Sequence, residues 1–256
     1  DVCMSGFGVT LRRASPGDRE GVIEVESRAT PNLSYLPEVF DLFVTDDLGE
    51  FLVAEVDGEL VACGKYTILP DGSAWLETLR VKPEYQGEGI GKRFYRRFFE
   101  IAQRQDVGIM RMYTGVNNVV SKGLAESFGF RQAARYREAK LPLEQVEMDE
   151  TSKTFKRVED WQRAASLLLS RYENWGEFLV LNRTFYEFNH ATCSYLGREG
   201  MVYEDPTDES FIALGARFMP ERGLHIPLFG VDMESGLEFA IKKGMEGERK
   251  NLTCLF

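Results

Sequence analysis

The sequence predicts an α+β fold, a central and mostly antiparallel sheet with flanking helices, followed by a shorter second lobe. Three observations carry this. Residues 50–81 hold three apolar, strand-like stretches joined by Asp57-Gly58 and Pro70-Asp71-Gly72, turns that send the chain back antiparallel. The glycine-rich turn Gly87–Gly91 then opens a segment whose apolar residues recur at helical spacing. Residues 143–152, with Glu144, Glu147, Asp149 and Glu150 and little apolar periodicity, divide the chain. The expected organisation is a functional domain at 1–142, an acidic linker at 143–152 and a second lobe at 153–256.

The elements follow in order. Val9–Arg13 reads as a strand. Ser15-Pro16-Gly17-Asp18 opens a helix, with Ser15 as cap, Pro16 in the first turn, and Val22, Ile23 and Val25 on the apolar side. Thr30–Pro37, rich in Pro and Asn, reads as a loop. Glu50–Val56 and Glu59–Ile68 form a hairpin, and Ala74–Val81 a third strand. The helix after Gly91 shows Ile90, Phe94, Phe98, Ile101 and Ala102 on one face. Ile109–Thr114 is a fourth strand and Val119–Phe128 a helix stopped by Gly129. Arg131–Leu143 is expected to supply the domain's last strand.

The second lobe shows three collinear likenesses to the first, which predict an internal duplication. Phe155-Lys156-Arg157 resembles Leu11-Arg12-Arg13. Gly176–Val180 is identical to Gly49–Val53. Gly230-Val231 before Gly244-Met245 resembles Gly115-Val116 before Gly129-Phe130.

Composition narrows the function. Apolar residues at 43% and charged residues at 28% argue for a folded globular chain. No apolar run is long enough for a membrane span. With 31 basic against 41 acidic residues, a net charge of −10 argues against nucleic-acid binding. Arg12 and Arg13 stand where a secretory signal would need its apolar stretch, so a cytoplasmic location is expected. Cys3, Cys63, Cys193 and Cys254, with His190 and His225, lack metal-ligand spacing; reduced thiols and no metal are expected.

The chemistry concentrates in Trp75–Lys92, a strand, a glycine turn and a helix start. Glycines let backbone N–H groups approach an anion, and the helix N-terminus adds partial positive charge. Arg80, Lys82, Lys92, Arg93, Arg96 and Arg97 surround the turn, so a phosphate-bearing ligand is implied. A Walker loop is excluded because Arg93 follows Lys92 where Ser or Thr is needed. A dinucleotide fingerprint is excluded by the glycine spacing and by the hairpins that come first.

Gln86-x-x-Gly89-x-Gly91 behind Leu79-Arg80-Val81, with Asn118 eleven residues before Gly129-Phe130, resembles the GNAT superfamily of N-acetyltransferases over about residues 9–142. The resemblance implies the acyl-CoA N-acyltransferase fold and acetyl-CoA as co-substrate. It implies backbone amides of Gln86, Gly87, Glu88, Gly89, Ile90, Gly91 and Lys92 on the pyrophosphate. Leu79 and Val81 would pair with the pantetheine arm, one of their amides polarising the thioester carbonyl, with Arg80 in the same cradle. Asn118 would face the arm. It further implies direct attack by an amine without an acyl-enzyme, which calls for a base. Glu77, an acid in an apolar strand, is the candidate, acting through a water. The two-residue period puts it on the face of Leu79 and Val81. The other reading of Glu77 is a solvent-facing or Arg-paired carboxylate.

The family often has a Tyr four residues before the Gly of Gly-Phe; here that position is Ala125, and Ala240 in the second copy. The second copy lacks the glycine motif, its corresponding region holding Gly215-Ala216-Arg217 and Glu221-Arg222-Gly223, so it is expected to bind no CoA. The segment Asn32–Pro37 followed by Phe40 resembles the histidine N-acetyltransferase-like subgroup, whose members also carry a truncated second lobe. That likeness implies an amino-acid α-amine as acceptor and Tyr35 over the acceptor site. The expected partner is a small-molecule amine, with no nucleic acid and no membrane; a homodimer is allowed. The competing readings are a non-catalytic CoA sensor and a peptide or protein N-terminal acetyltransferase.

Overall fold

A computed structural model of the protein describes residues 8–147 and 154–256. Cys3, Asp149 and Glu150 lie outside the described residues. The chain forms two compact units that divide between Gln132 and Ala133.

The first unit runs β1 (Val9–Arg13), α1 (Arg19–Ala29), α2 (Leu36–Val44), β2 (Glu50–Val56), β3 (Glu59–Ile68), β4 (Ala74–Val81), α3 (Ile90–Arg104), β5 (Met110–Met112) and α4 (Val119–Ser127). Its sheet has the order β1-β2-β3-β4-β5, antiparallel except for the parallel pair β4/β5. β2, β3 and β4 have the bounds their alternation and turns predict. β5 is shorter than the predicted Ile109–Thr114.

Local chemistry explains the helix starts. Before α1, Asp18 accepts from the Ser15 amide at 2.6 Å and hydroxyl at 2.9 Å, and takes two bonds from the Arg12 guanidinium at 2.8 Å. α2 departs from the predicted loop, which ran through Pro37. The buried carboxylate of Glu26 accepts the amides of Tyr35 and Leu36, both at 3.1 Å, and so caps the new helix from α1. Pro37 fits its first turn, and Leu36, Val39, Phe40 and Phe43 bury its apolar side.

One sheet face carries α3. Ile90, Phe94, Phe98, Ile101 and Ala102 are buried against Leu52, Ala54, Tyr66 and Leu76, each large side chain contributing roughly 1.5–3 kcal/mol. Gly64 permits the close approach, since a Cβ there would lie 2.8 Å from the Phe94 ring. α1 packs against β3 and β4, and α2 against β2.

The second unit holds β6 (Glu138–Pro142), β7 (Lys156–Arg157), α5 (Trp161–Leu169), β8 (Phe178–Leu181), β9 (Thr184–Glu187), α6 (His190–Arg198), β10 (Val202–Glu204), β11 (Phe211–Gly215), β12 (Gly223–Phe229), α7 (Met233–Glu246) and β13 (Asn251–Leu255). Its main sheet is ordered β6-β13-β12-β11-β10-β7, and β8-β9 form a separate hairpin. The strand expected to complete the first sheet is β6. It instead runs antiparallel to β13, from Glu138 opposite Leu255 to Pro142 opposite Asn251. β13 would otherwise be an unpaired edge, and Leu141 and Leu143 join the second core.

From β7 through β10, β11 and β12 the neighbours are antiparallel, and β12/β13 is parallel with α7 between them. This repeats the sequence of directions from β1 to β5. The three sequence likenesses map onto it unevenly. Phe155-Lys156-Arg157 falls on β7, which stands where β1 does. Gly176–Val180 falls at the separate hairpin rather than on the counterpart of β2, and Gly230-Val231 follows the fourth strand whereas Gly115-Val116 follows the fifth. The counterpart of the glycine turn is therefore Gly230–Asp232, not the segments around 215 and 223. There Asp232 caps α7, accepting from the Ser235 amide at 3.1 Å. A carboxylate at that helix N-terminus opposes an anionic ligand.

Candidate functional site

The site is built on β4 beyond its last contact with β5. The parallel pairing runs from Ala74/Met110 to Leu76/Met112 and stops. On the other side β4 stays paired with β3, but the register shifts: Lys65 opposes Glu77 while Cys63 opposes Arg80. One extra residue is thus inserted in β4, and Thr78 takes φ 63°, a left-handed conformation that β-branched residues rarely adopt. The Lys82 amide turns to β3 and donates to the Val61 carbonyl at 2.9 Å. By strand alternation the amides of Leu79 and Val81 turn the opposite way, toward the side β5 has left. The Leu79 carbonyl accepts from Arg80 Nη1 at 3.2 Å and the Val81 carbonyl from Gln86 Nε2 at 3.0 Å.

The bulge corrects the predicted face of Glu77. Leu76, Leu79 and Val81 all pack with the α3 core. With the extra residue at 78, Glu77 lies on the opposite face, together with Arg80 and their partners Lys65 and Cys63. That is the face covered by α1. The two-residue period fails because it cannot count a bulge.

On this face Tyr35, just before α2, shares a hydrogen bond between its hydroxyl and Thr78 Oγ1. Burial chiefly, and then the charge of Glu77, holds the Tyr35 hydroxyl above its ordinary range. Burial also raises Glu26, against the amides of Leu36 and Tyr35 and the charge of Arg80. The Cys63 thiol is fully buried and pushed up to about 12, mainly by desolvation, which makes it a poor nucleophile. Glu77 is half-buried and Thr78 buried. Glu26 and Thr78 carry no sequence signal strong enough to single them out. The structure places Tyr35, Glu77 and Arg80 near one another on this face, whereas the sequence reading put Glu77 with Leu79 and Val81, Arg80 with the cofactor and Tyr35 over the acceptor.

The glycine turn lies at the far end of β4. Gly87 (φ 84°) and Gly89 (φ 76°) are left-handed, and a Cβ on either would meet nothing within 4 Å. Gly89 is the N-cap of α3. The amides of Ile90, Gly91 and Lys92 belong to the first helical turn, where helices have no internal partner. Glu88, Lys92, Arg93 and Arg96 are exposed. Gly91 has a packing reason instead: its Cβ would lie 2.8 Å from Leu124 Cδ2 of α4. This cradle fits a pyrophosphate, with open left-handed backbone at Gly87 and Gly89, first-turn amides and three exposed cations.

Other expectations are redirected. Lys82 is buried and bound to Glu59 at 2.7 Å and Glu24 at 3.0 Å, and Arg97 is paired with Glu50 at 3.1 Å. Neither is available to the turn. Asn118 caps α4, its Oδ1 accepting from the Ser121 amide at 3.1 Å. Ala125 is buried in the α3 core. Tyr85 donates to Glu59 at 3.2 Å, whereas Tyr113 directly follows the last residue of β5. Among the described residues no cluster of His, Cys, Asp or Glu could hold a metal ion, and no helix is long and apolar enough to cross a membrane.

Comparison with known proteins gives three findings. Residues 20–130 match the family model described as acetyltransferase (GNAT) family. A Bacillus subtilis (strain 168) protein, provisionally named ribosomal protein bS18-alanine N-acetyltransferase, is 25% identical over 115 residues, 44% of this chain and 75% of that protein. Two solved structures share the fold over nearly the whole chain. The GCN5-related glucosamine N-acetyltransferase region of a fungal multi-domain GH3 beta-N-acetylglucosaminidase has a TM-score of 0.69 at 12% identity, covering 98% of this chain and 35% of that one. A GCN5-related N-acetyltransferase from Kribbella flavida has a TM-score of 0.54 at 14% identity, covering 97% and 64%.

Proposed function

Residues 20–130 form a GNAT-family acetyltransferase domain, and from that premise we propose that the protein transfers an acetyl group from acetyl-CoA to the primary amine of a small metabolite. The observation that carries this is β4 itself, released from β5 after Leu76 and bulged at Thr78, with the glycine turn at its end.

Bound acetyl-CoA supplies an activated acyl thioester. The open amides of Gly87 to Lys92 and the first turn of α3 take its pyrophosphate. The outward amides of Leu79 and Val81 lie along the pantetheine arm and can donate to the oxygen on which negative charge develops. The amine attacks directly; the buried Cys63 thiol does not serve as an acyl carrier. Glu77 takes the proton of the incoming ammonium through a water. Tyr35 and Thr78, tied to one another and held by Glu26, shape the acceptor side. With Ala125 in the core, no tyrosine protonates the leaving thiolate from that position; solvent can do so.

The internal duplication, a second unit without a CoA site, and a cytoplasmic location belong to this reading. The second unit's strand directions support the first point and Asp232 the second. A peptide or protein amine is the runner-up acceptor, favoured by the relative named for bS18 alanine.

The test is a mass-spectrometric screen of a mixed pool of amines and short peptides with isotopically labelled acetyl-CoA. A labelled N-acetyl product of a small amine is expected. Label confined to peptides transfers the assignment to the runner-up. Acetyl-CoA binding without any labelled product refutes catalysis and leaves a CoA-binding protein.

A further inference from the structure

Thr78 is the strained residue of the site. At φ 63° it sits in the left-handed region, where a β-branched side chain stays only if its surroundings enforce it. Thr78 and Leu79 together take the place of one residue opposite β3, since Glu77 opposes Lys65 and Arg80 opposes Cys63.

The conformation of Thr78 aims the next amide. Its carbonyl accepts from Cys63 Sγ of β3 at 3.6 Å. Burial keeps that thiol protonated and so a donor, although a weak one. In a trans peptide the C=O and the following N–H point opposite ways. A Thr78 carbonyl turned toward Cys63 therefore turns the Leu79 amide away from β3, to the side that β5 leaves open after Met112.

The side chain of Thr78 is held separately, by the hydrogen bond it shares with the Tyr35 hydroxyl. Tyr35 is in turn fixed through its backbone. Its amide donates to Glu26 of α1 at 3.1 Å, and its carbonyl accepts the Glu38 and Val39 amides of α2 at 3.0 and 3.2 Å. A rigid ring on a fixed backbone makes a strut from the start of α2 to the bulge. Thr78 is buried, so a threonine hydroxyl deprived of Tyr35 must move to find another partner.

We infer that Tyr35 is a positioning residue of the transfer step, its hydroxyl holding Thr78 left-handed so that the Leu79 amide meets the thioester oxygen. This rests on the transferase reading above and gives Tyr35 a role besides shaping the acceptor side. Tyr35 acts through Thr78 rather than on a reacting atom.

The test is a double-mutant cycle read on two signals. One is the rate of labelled product from a mixed pool of small amines at saturating acetyl-CoA. The other is the carbonyl resonance of bound acetyl-CoA carrying carbon-13 at the acetyl carbonyl, which donors on the oxygen displace from its free value. Tyr35→Phe is expected to lower the rate by roughly 10- to 30-fold and to return the resonance about halfway or more to the free value, with the KM for acetyl-CoA changed by less than about threefold. Adding Tyr35→Phe to Thr78→Gly should change either signal by less than about twofold, because glycine takes this conformation without strain and needs no strut. Thr78→Val should match Tyr35→Phe, and Thr78→Ser should recover most of that loss. Circular dichroism and a cooperative melt establish folding; where Tyr35→Phe does not fold, Thr78→Val against Thr78→Ser makes the same comparison. A resonance undisplaced in the wild-type protein, or unchanged in folded Tyr35→Phe, overturns the inference and leaves the transferase reading intact. So does a rate loss of equal size when Tyr35→Phe is added to Thr78→Gly, which puts Tyr35 on the acceptor alone. No acetylated product from the wild-type protein, with a displaced resonance still sensitive to Tyr35→Phe, overturns the transferase reading and upholds the strut. Failure of the wild-type protein to bind acetyl-CoA overturns both.

Discussion

Replacing Gly89 with alanine isolates the anion cradle from backbone strain. Gly89 has φ 76° and Gly72, in the turn at the other end of β4, has φ 83°; a Cβ on either meets nothing within 4 Å. Each substitution therefore costs left-handed strain without a clash, about 1–2 kcal/mol. For a unit of this size that lowers Tm by a few degrees, at roughly 3–5 °C per kcal/mol. The ligand effect separates the two. At a hundred times Kd, acetyl-CoA adds about 2.7 kcal/mol, or roughly 8–13 °C. At Gly89 the new methyl projects into the open side of the turn, where the pyrophosphate must approach. A hundredfold loss of affinity would leave about 0.4 kcal/mol at the same concentration, a shift of about 1–2 °C. Differential scanning fluorimetry with acetyl-CoA titrated into both variants is the assay. Gly72→Ala should keep the wild-type shift and Gly89→Ala should lose most of it. Equal shifts in the two variants would refute the placement of the pyrophosphate.

Three further outcomes are expected. Glu77→Gln should lower kcat by roughly 10²-fold or more with acetyl-CoA binding retained; an unchanged rate removes Glu77 as the base. Asp18 is held at about 2, first by its bonds to Arg12. Its folded value is depressed, so its contribution is present above pH 4 and is lost as pH falls from about 4 to 2. Asp18→Asn should cost about 1–2 kcal/mol at neutral pH, discounted for the partly exposed Arg12, and remove that acid sensitivity in urea titrations. His225 of the second unit is pushed down to about 4 by burial, which outweighs the opposing charge of Glu138. The unfolded chain binds its proton first, so stability should fall between about pH 6.5 and 4 by up to about 3 kcal/mol. His225→Phe should abolish that slope, and a slope unaltered in the variant assigns it elsewhere.

Much of the first unit can be read from residues alone, because hairpin turns and alternation are local. Asp57-Gly58 and Pro70-Asp71-Gly72 place β2, β3 and β4 with their observed bounds. α2 could have been found, since Leu36, Val39, Phe40 and Phe43 keep helical spacing, but the Pro and Asn before it read as loop and the cap, Glu26, is a non-local partner. The bulge is not legible: nothing in Glu77-Thr78-Leu79 marks an inserted residue, and one residue inverts every face beyond it. Charge counting around the glycine turn overstates the cradle, because sequence proximity cannot show that Lys82 and Arg97 already have carboxylate partners. In the second unit, the identical pentamer falls at the separate β8-β9 hairpin, whereas the strand directions from β7 to β13 follow those from β1 to β5.

The pairing of β6 with β13 also bears on how the protein is made. Residues 138–142 leave the ribosome more than a hundred residues before 251–255, yet each is the other's antiparallel neighbour. The first unit can collapse at once, since all its strand pairings close within residues 9–112. β6 has to wait, and closing so long a loop is slow. During that interval a five-residue strand with both edges bare hangs from a finished domain, open to chaperones or to another chain's β13. Exchange of that strand between two copies would give a dimer with no new interface at all. Expression fragments cut at residue 142 would keep β6 with the wrong partner, leaving the second unit's β13 with an open edge.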